Sequence, residues 1–488
     1  VKVDAAASAA AKFAVIISNT ATKQATVKIT LGHDSKAPGA ITGTIQVPPG
    51  GLTEVELPMK SWNLPPQRQD GTDINKRVYR IEADQPIVAY QFNPAQNVGV
   101  FSNDASLLLP THALGKEYVV LTAPGLAPDN GSTFTVVATS PGVTKVTFTP
   151  AVSTKSGGSV KAFGKGSPSQ VSLNQGQVLN IEAGLYGVSW GKLGGDLTGT
   201  VINADKPVAV FAGAEGTMAP KTGNCIPNGL GKKTCAGSMF NSACTKDADC
   251  GPSCCADHVE EQLFPSSTWG TAYVAARFQP RGIEKDWWRV VAKETGTTLK
   301  LTPLPSPGLV VPTLEPGQVF DFTSDKDFLI ESNKPISVGQ IMASAFETVP
   351  KVPGSCAKDL ECKQKYGFVG SCSAKGVGAP GTCSPIGDPA LMLTVSTSQF
   401  LDHYVFLVPN LYASDWVTII APAGSTVKLD DQPVAALKFT TVAGSSWTVA
   451  RLPLQHGVHK LEASAPVGVA VYGYDAYVSY AYAGGVKL

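Results

Sequence analysis

Short runs in which apolar and polar residues alternate occur along most of this chain, and they predict β-strands rather than helices. One run occurs four times, as IEADQPIVAY (81–90), INADKPVAVF (202–211), IESNKPISVG (330–339) and LEASAPVGVA (461–470). Each copy has a polar turn, a proline and then apolar, largely β-branched residues, which suit a half-buried pleated surface. Because proline cannot donate to a β-ladder, we expect each of these prolines to begin a strand.

Two further patterns accompany this run and divide the chain into units. An acid, an apolar strand, a turn and an aromatic-led strand recur in DASLLLPTHALGKEYVVL (104–121), DHVEEQLFPSSTWGTAYVAA (257–276) and DPALMLTVSTSQFLDHYVFL (388–407). A strand–turn–strand pattern with Gly, Thr or Asn at the bend follows, which is typical of β-hairpins. We therefore expect four repeat units, at residues 1–115, 116–270, 271–401 and 402–488.

Each unit offers roughly six or seven strands and no convincing helix, which favours an all-β fold of four tandem β-sandwich-like units. Closure of the four units into a ring is the alternative to simple tandem packing. In a ring, the last strand, YVSYAYAGG (477–485), would pair with the first unit and remove an exposed edge. The segment AAASAAA (5–11) is expected to be a linker, because an isolated helix needs roughly 12–15 residues.

The cysteines locate two insertions into this repeat. The distance from the repeated proline to the aspartate that opens the next copy of the second pattern is 18 residues in the first unit, but 50 and 53 in the second and third. Each excess contains one cysteine cluster, so we expect disulfide-stapled insertions at about 220–256 and 350–385, in the same loop of successive units. The spacing leaves the connectivity open. The ten cysteines are Cys225, Cys235, Cys244, Cys250, Cys254, Cys255, Cys356, Cys362, Cys372 and Cys383.

Metal binding is the alternative use of these clusters. They contain no Cys-x-x-Cys pair and the nearest imidazole is that of His258, so their spacing disfavours zinc. Asp247 and Asp249 are candidate calcium ligands and candidate binding residues, but Gly251 lies where an EF-hand loop requires a third acid. We therefore expect no cofactor, with calcium at these two aspartates as the alternative.

Composition and charge narrow the range of partners. Lys and Arg total 39 and Asp and Glu total 38, so the formal net charge is +1. A chain without a cationic excess lacks the face that nucleic acid or anionic lipid requires. No apolar run of about 18 residues occurs, so direct membrane insertion is not expected. The even-numbered cysteine clusters instead predict an oxidising compartment, outside the cell or on its outer surface.

Catalytic motifs are few. One Gly-x-Ser-x-Gly occurs at 187–191, but the Gly-rich sequence after it cannot form the helix that a nucleophile elbow requires. Asp257, His258, Glu260 and Glu261 form an acid-rich patch, in which Asp257 and Glu261 are the candidate pair for a polysaccharide hydrolase. The simpler interpretation of the patch is a solvated strand edge, which charges commonly protect. We therefore expect no enzymatic activity.

Trp287 is a third candidate binding residue. It is adjacent to Trp288 in a predicted strand, so the two side chains should point to opposite faces. With Trp288 in the core, we expect Trp287 to be exposed, where it could stack on a sugar ring or on a partner protein.

Three motifs, with the turns around the repeated prolines, resemble the IgGFc-binding protein N-terminal domain family: FSNDASLLLP (101–110), DHVEEQLFPSSTWGTAYV (257–274) and YGYDAYVSYAYAGG (472–485). The resemblance covers residues 80–488 and implies an extracellular, β-rich binding or adhesion module without catalytic residues. The short C-x-x-D-x-[DE]-C segments resemble those of bacterial secreted members, of myxobacterial type. No residue set for the antibody ligand of the animal namesake is defined in these motifs.

Together these features predict an extracellular or cell-surface binding or adhesion protein that recognises a surface glycan or a protein partner. A structural subunit of an extracellular fibre or surface layer is the alternative. A C-terminal strand able to complete a neighbouring copy would allow self-association by strand addition.

Overall fold

Strands make up nearly all the regular structure of the computed structural model, which confirms the predicted all-β class. The structure describes residues 13–34, 36, 39–65, 67–94, 102–189, 191–228, 231–236, 242–351, 353–373 and 381–487. The segment at 5–11 lies outside these residues, as do 237–241 and 374–380 of the two inserts. Within the described residues, the helices are short turns at Lys60–Trp62, Thr111–Ala113, Asp247–Asp249, Ser266–Thr268, Ala345–Thr348, Cys362–Tyr366, Thr397–Gln399 and Ala436–Lys438. No helix in this part of the chain has the length and apolar character needed to span a bilayer.

The first part of the chain forms two sheets that share one apolar core. Its strands are β1 (Phe13–Asn19), β2 (Ala25–Leu31), β3 (Ile41–Val47), β4 (Leu52–Leu57), β5 (Asp73–Asn75), β6 (Tyr79–Ala83), β7 (Ile87–Asn93) and β8 (Asp104–Leu108). One sheet has the order β4-β1-β7-β8 and the other the order β3-β2-β6. Val15 and Ile17 of β1 face Val27 and Ile29 of β2 across this core, because alternate residues of a strand point to the same side.

The second part is dominated by one eight-stranded sheet. The strands of this part of the chain are β9 (Gly115–Val119), β10 (Gly125–Leu126), β11 (Ser132–Ala138), β12 (Val143–Thr149), β13 (Ser169–Asn174), β14 (Val178–Glu182), β15 (Leu193–Gly194), β16 (Val201–Thr217), β17 (Cys225–Pro227), β18 (Lys233–Cys235) and β19 (Asp257–Gln262). The eight-stranded sheet has the order β13-β12-β16-β11-β14-β5, and β9 and β19 also pair with β16. Strand β5 therefore crosses from the first part into this sheet.

The remaining strands form a six-stranded and an eight-stranded sheet, with a three-stranded sheet in the second insert. Those up to residue 393 are β20 (Gly270–Ala275), β21 (Asp286–Ala292), β22 (Leu299–Thr302), β23 (Val319–Ser324), β24 (Phe328–Ile341), β25 (Ser355–Cys356), β26 (Gly370–Ser373), β27 (Gly381–Pro385) and β28 (Leu391–Leu393). The last are β29 (Leu401–Val408), β30 (Ser414–Pro422), β31 (Val427–Leu429), β32 (Gln432–Pro433), β33 (Thr440–Thr441), β34 (Trp447–Leu454), β35 (Gly457–Asp475) and β36 (Val478–Ala483).

Three of the repeated prolines lie inside long strands, so the prediction that each begins a strand is wrong for them. Strands β16, β24 and β35 run through Pro207, Pro335 and Pro466 and are 17, 14 and 19 residues long. A ladder of each strand shifts register near the proline. The irregular register accommodates a residue that has no N–H to donate. The two halves of each long strand have largely different partners, so one strand serves two groups of strands.

One hydrogen-bond pattern recurs at three corners of the fold. The Tyr118 hydroxyl donates to the carbonyl of Val208 at 2.7 Å and accepts the backbone N–H of Gly115 at 3.0 Å. The same pair of bonds is formed by Tyr273 with Ile336 and Gly270, and by Tyr404 with Val467 and Leu401. Each carbonyl belongs to the residue after a repeated proline. The sequence repeat is thus matched by a repeated contact at these corners, while the division into four units and its boundaries stay predictions.

The inner strands of four sheets surround a common centre. Strand β8 contacts β19 and β36, and β28 contacts the same two strands, so the four form a closed inner ring. Their registers match, because the residue four positions after each repeated proline pairs with Leu107, Gln262, Leu393 or Ala483. Strand β36 is buried along its whole length. The last strand of the chain therefore lies against β8, in the first part.

Candidate functional site

All ten cysteines form disulfides, and each pair lies within one insert. The bonds are Cys225–Cys244, Cys235–Cys250, Cys254–Cys255, Cys356–Cys372 and Cys362–Cys383. Among the described residues, the groups of three or more His, Cys, Asp or Glu side chains compact enough to hold a metal consist of these cysteines. A cysteine binds a metal as a thiolate, which a disulfide does not offer. The inserts are therefore held by covalent bonds between sulfurs.

The two inserts pack on each other and share a small apolar core. Ile226 and Ala236 come from the first insert, and Phe368, Cys362 and Cys383 come from the second. We call this pair of inserts, residues 220–256 and 345–385, the cystine module. An insertion without such a core would need disulfides to become ordered, and these inserts have both a core and disulfides. The two loops therefore form one structure rather than two separate protrusions.

Glu347 joins the two halves of the cystine module. Its side chain is 1% exposed, and Oε1 accepts the backbone N–H of Ser253 at 3.0 Å. Its backbone carbonyl accepts a bond from the Asn224 side chain at 2.6 Å. Burial raises the pKa of Glu347 to about 8, because the ionised form loses its hydration. The group is therefore largely protonated in the folded protein at neutral pH.

Asp247 and Asp249 shape the first insert with their carboxylates. Oδ1 of Asp247 accepts the backbone N–H of Cys225 at 2.9 Å. Oδ2 of Asp249 accepts the backbone N–H and the hydroxyl of Thr245, at 2.8 and 2.7 Å, and the N–H of Lys246 at 3.1 Å. These bonds to Thr245 lower the pKa of Asp249. Both side chains are exposed, and each supports the local turn.

The surface of the cystine module is basic. Its sequence carries nine lysines against five acids, which is four net positive charges in a chain whose net charge is +1. Eight of the lysines are exposed in the described part: Lys221, Lys232, Lys233, Lys246, Lys351, Lys358, Lys363 and Lys365. Leu360 lies among them and is 62% exposed. The module thus presents positive charge and an apolar contact point together.

Trp287 is buried, so its predicted exposure is wrong. Its side chain is 2% exposed and belongs to the largest core, whereas Trp288 belongs to a second core on the other side of β21. The opposite-face argument holds, but both faces of this strand are covered. The Arg289 guanidinium lies 4.8 Å from the Trp287 ring centre and the Lys221 amine lies 5.2 Å from it. Trp287 therefore serves packing and cannot stack on a ligand.

The acid-rich patch lies inside the ring, so its interpretation as a solvated strand edge is wrong. Asp257 is 0% and Glu261 3% exposed, because β19 lies between β16 and its neighbours in the ring. Glu261 accepts the Ser106 hydroxyl at 2.6 Å and the backbone N–H of Leu393 at 3.0 Å. Burial raises the pKa of Glu261 to about 8. The two carboxylates thus link neighbouring strands and are shielded from any polysaccharide.

Two further buried acids connect the ring, and the sequence analysis did not single them out as site residues. Oδ2 of Asp104 accepts the backbone N–H of Glu260 at 2.9 Å and of Leu391 at 3.3 Å, so it bridges three strands. Oδ1 of Asp388 accepts the N–H of Cys255 at 3.2 Å. Both acids open a copy of the second repeated pattern. Their recurrence was the signal, but only the ring brings them to one place.

A disulfide-stapled all-β domain with a basic, cystine-rich surface is typical of extracellular binding proteins. The family model described as IgGFc binding protein matches residues 104–473, which is most of the chain. The chain therefore belongs to the IgGFc-binding protein family.

A human relative shares this similarity over a shorter stretch. The chain is 29% identical to the human IgGFc-binding protein over 230 residues. That stretch is 47% of this chain but only 3% of the human protein. The comparison thus supports the family, and the chain spans only a small part of the human protein's length.

Proposed function

We propose that this chain is an extracellular, non-catalytic binding protein whose cystine module recognises the acidic surface of a protein partner. The observation that carries the proposal is the concentration of positive charge on the module. Nine of its fourteen charged residues are lysines, although the chain as a whole is nearly neutral. Complementary charge steers association and sets specificity. Leu360 supplies an exposed apolar contact beside these charges.

The architecture supports separate roles for the ring of strands, as a scaffold, and for the cystine module, as a binding surface. The ring and its sheets bury the strands of the repeated patterns, whereas the cystine module has its own core and disulfides. Binding residues commonly lie on loops held by a rigid scaffold. The module can therefore differ in surface chemistry without disturbing the ring.

The absence of catalysis is part of the proposal. The hydrolase hypothesis required Asp257 and Glu261 to act on a polysaccharide, and both are buried and hydrogen-bonded to neighbouring strands. The fibre hypothesis required a free C-terminal strand. Strand β36 is paired with β35 and packed against β8, which leaves that hypothesis without its donor strand.

The disulfides also indicate the compartment in which the protein acts. Five disulfides suit an oxidising compartment, which favours the extracellular space or the outer cell surface. The assignment to bacterial secreted members of myxobacterial type stays a prediction from the short cysteine segments. The antibody ligand in the human relative's name enters here only as a probe.

The experiment immobilises the full chain and measures binding of purified human IgG Fc, an acidic mucin glycoprotein and heparin at two salt concentrations. We expect a protein probe to bind, with affinity that falls as salt rises. The variant Lys358→Glu/Lys363→Glu should lose most of this binding. The matched control Lys60→Glu/Lys438→Glu reverses two exposed charges outside the module and should retain it. Binding of heparin alone would redirect the proposal to an anionic glycan, and equal loss in both variants would contradict it.

A further inference from the structure

The ring places two buried aspartates at the same level on neighbouring strands. Counting five residues back from the matched register positions of the four inner strands reaches Ser102, Asp257, Asp388 and Val478. Hydrogen bonds confirm this level. The Ser102 hydroxyl donates to Asp257, the N–H of Cys255 donates to Asp388, and the N–H of Asp388 donates to Ser479. Asp257 and Asp388 are therefore adjacent around the ring.

Unpartnered oxygen atoms gather at this level. Asp257 and Asp388 are both 0% exposed, and each uses Oδ1 for backbone N–H groups while its buried Oδ2 has no hydrogen-bond partner in the described structure. Asn103 is also 0% exposed and both polar atoms of its side chain are unpartnered, although its backbone N–H binds Asp257. Thr217 is cross-strand partner to Asp257, and its buried hydroxyl is unpartnered too.

Neither nearby basic side chain donates a hydrogen bond to the two carboxylates. Nδ1 of His258 lies 2.6 Å from the Ser102 hydroxyl and 3.6 Å from Oδ1 of Asp257, and Oδ2 of Asp257 has no hydrogen-bond partner in the described structure. The guanidinium of Arg281 donates to the carbonyls of Ile386, Gly387 and Ala343 rather than to Asp388. A buried carboxylate is expensive unless it is paired, protonated or bound to a cation.

We propose that Asp257 and Asp388, with the side-chain oxygens of Asn103 and Thr217, bind a calcium-class divalent cation at the centre of the ring. Carboxylate, amide and hydroxyl oxygens are the donors that a hard cation prefers, and calcium tolerates irregular geometry with water completing its shell. The site differs from Asp247 and Asp249, whose carboxylates are exposed. It links β19 to β28, the strands that follow the two halves of the cystine module.

The site has a structural consequence for the module. Cys255 ends the first half and binds Asp388, and the N–H of Ala345, at the start of the second half, binds the same Oδ1 at 3.3 Å. A cation on the opposite oxygen would fix this carboxylate between the two. Cation binding should therefore stabilise the bases of both inserts as well as the ring.

The test uses the full chain purified without chelator, and then stripped with EDTA. Metal analysis should find about one calcium per chain before stripping, and calcium should raise the melting temperature of the stripped protein. Terbium, a luminescent calcium substitute, should bind and be sensitised by Tyr412, whose ring centre lies 4.7 Å from that of Tyr480 on the ring strand β36. Asp388→Asn should weaken calcium binding about tenfold or more, and the milder Thr217→Val should weaken it less.

The control variant is Asp247→Asn/Asp249→Asn, which should bind calcium as tightly as the natural chain. The wild-type titration decides the matter even if the Asp388 variant fails to fold. A stripped protein whose melting temperature ignores calcium, and which sensitises no terbium, would overturn the proposal and leave a protonated aspartate pair. Loss of calcium binding in the control variant alone would place the cation in the first insert and also overturn it.

Discussion

The backbone N–H of Ser253 donates a 3.0 Å hydrogen bond to Oε1 of Glu347, and this bond joins the two halves of the cystine module. The acceptor is buried, and burial raises the pKa of Glu347 to about 8. The cystine module therefore depends on the protonated carboxyl of Glu347 at the contact between its two inserts.

The stability of the protein should fall as pH rises from 5 to 8, partly because of Glu347. Below its ordinary pKa of 4.5 the group is protonated in both states. Above that value the unfolded chain loses the proton while the folded protein keeps it until about 8, so unfolding becomes easier. Glu347→Gln should remove part of the slope, on the order of 2–4 kcal/mol across this window. Urea unfolding at several pH values measures it, with the exposed Glu315→Gln as control.

Two results of the urea experiment would contradict protonation of Glu347. If Glu347→Gln and the natural chain lose stability in parallel between pH 5 and 8, the proton does not reside on Glu347. If the natural chain instead gains stability relative to Glu347→Gln as the pH rises, the carboxyl is ionised in the folded protein.

The repeated tyrosine contact should matter equally at its three positions. Tyr273→Phe leaves the carbonyl of Ile336 and the N–H of Gly270 without their partner inside the protein. Each such loss should cost about 1–3 kcal/mol of unfolding free energy. Tyr118→Phe and Tyr404→Phe should behave alike, and Tyr186→Phe, at a side chain 72% exposed, should change nothing. Thermal or urea unfolding provides the comparison, and a neutral Tyr273→Phe would mean that the corner bond is dispensable.

Arg289 should be one of the most sensitive positions in the fold. Its guanidinium is 1% exposed and bonds to Asp196 at 2.6 Å and to Asp321 at 2.8 Å. Arg289→Met leaves both carboxylates without this cation, which should cost about 3–5 kcal/mol. Arg80→Met removes an exposed pair with Glu82 and should cost less than about 1 kcal/mol. Similar unfolding free energies for the two variants would contradict the assigned role.

The state of the cysteines is directly countable. Thiol titration of the denatured natural protein should find no free thiol before reduction and ten afterwards. Peptide mapping without reduction should recover the two inserts as separate disulfide-linked sets, because every bond lies within one insert. Cross-links between the inserts, or free thiols in protein from its natural compartment, would contradict this arrangement.

Strand content and the confinement of the disulfides to two segments could be predicted from the sequence, because alternation and cysteine spacing are local properties. The register of the ring could not. The repeated pattern aligns Asp104 with Asp257, but the ladders place Asp104 at the level of Val259, two residues further along β19.

Burial of charge was the second feature beyond the sequence. A strand with three acids among six residues is typical of an exposed edge, and only the ring reveals that β19 is enclosed on both sides. Trp287 shows the same limit, since alternation predicts which face a residue takes but not whether a neighbouring sheet covers that face.

The most direct test of binding through the cystine module is hydrogen exchange of the full chain, free and with the bound protein probe. The account predicts slowed exchange in segments of both inserts, around 231–236 and 355–373. Exchange in β31, β32, β33 and β34, the outer strands of the last eight-stranded sheet, should be unchanged. Protection confined to another surface, with both inserts exchanging as in the free chain, would contradict it.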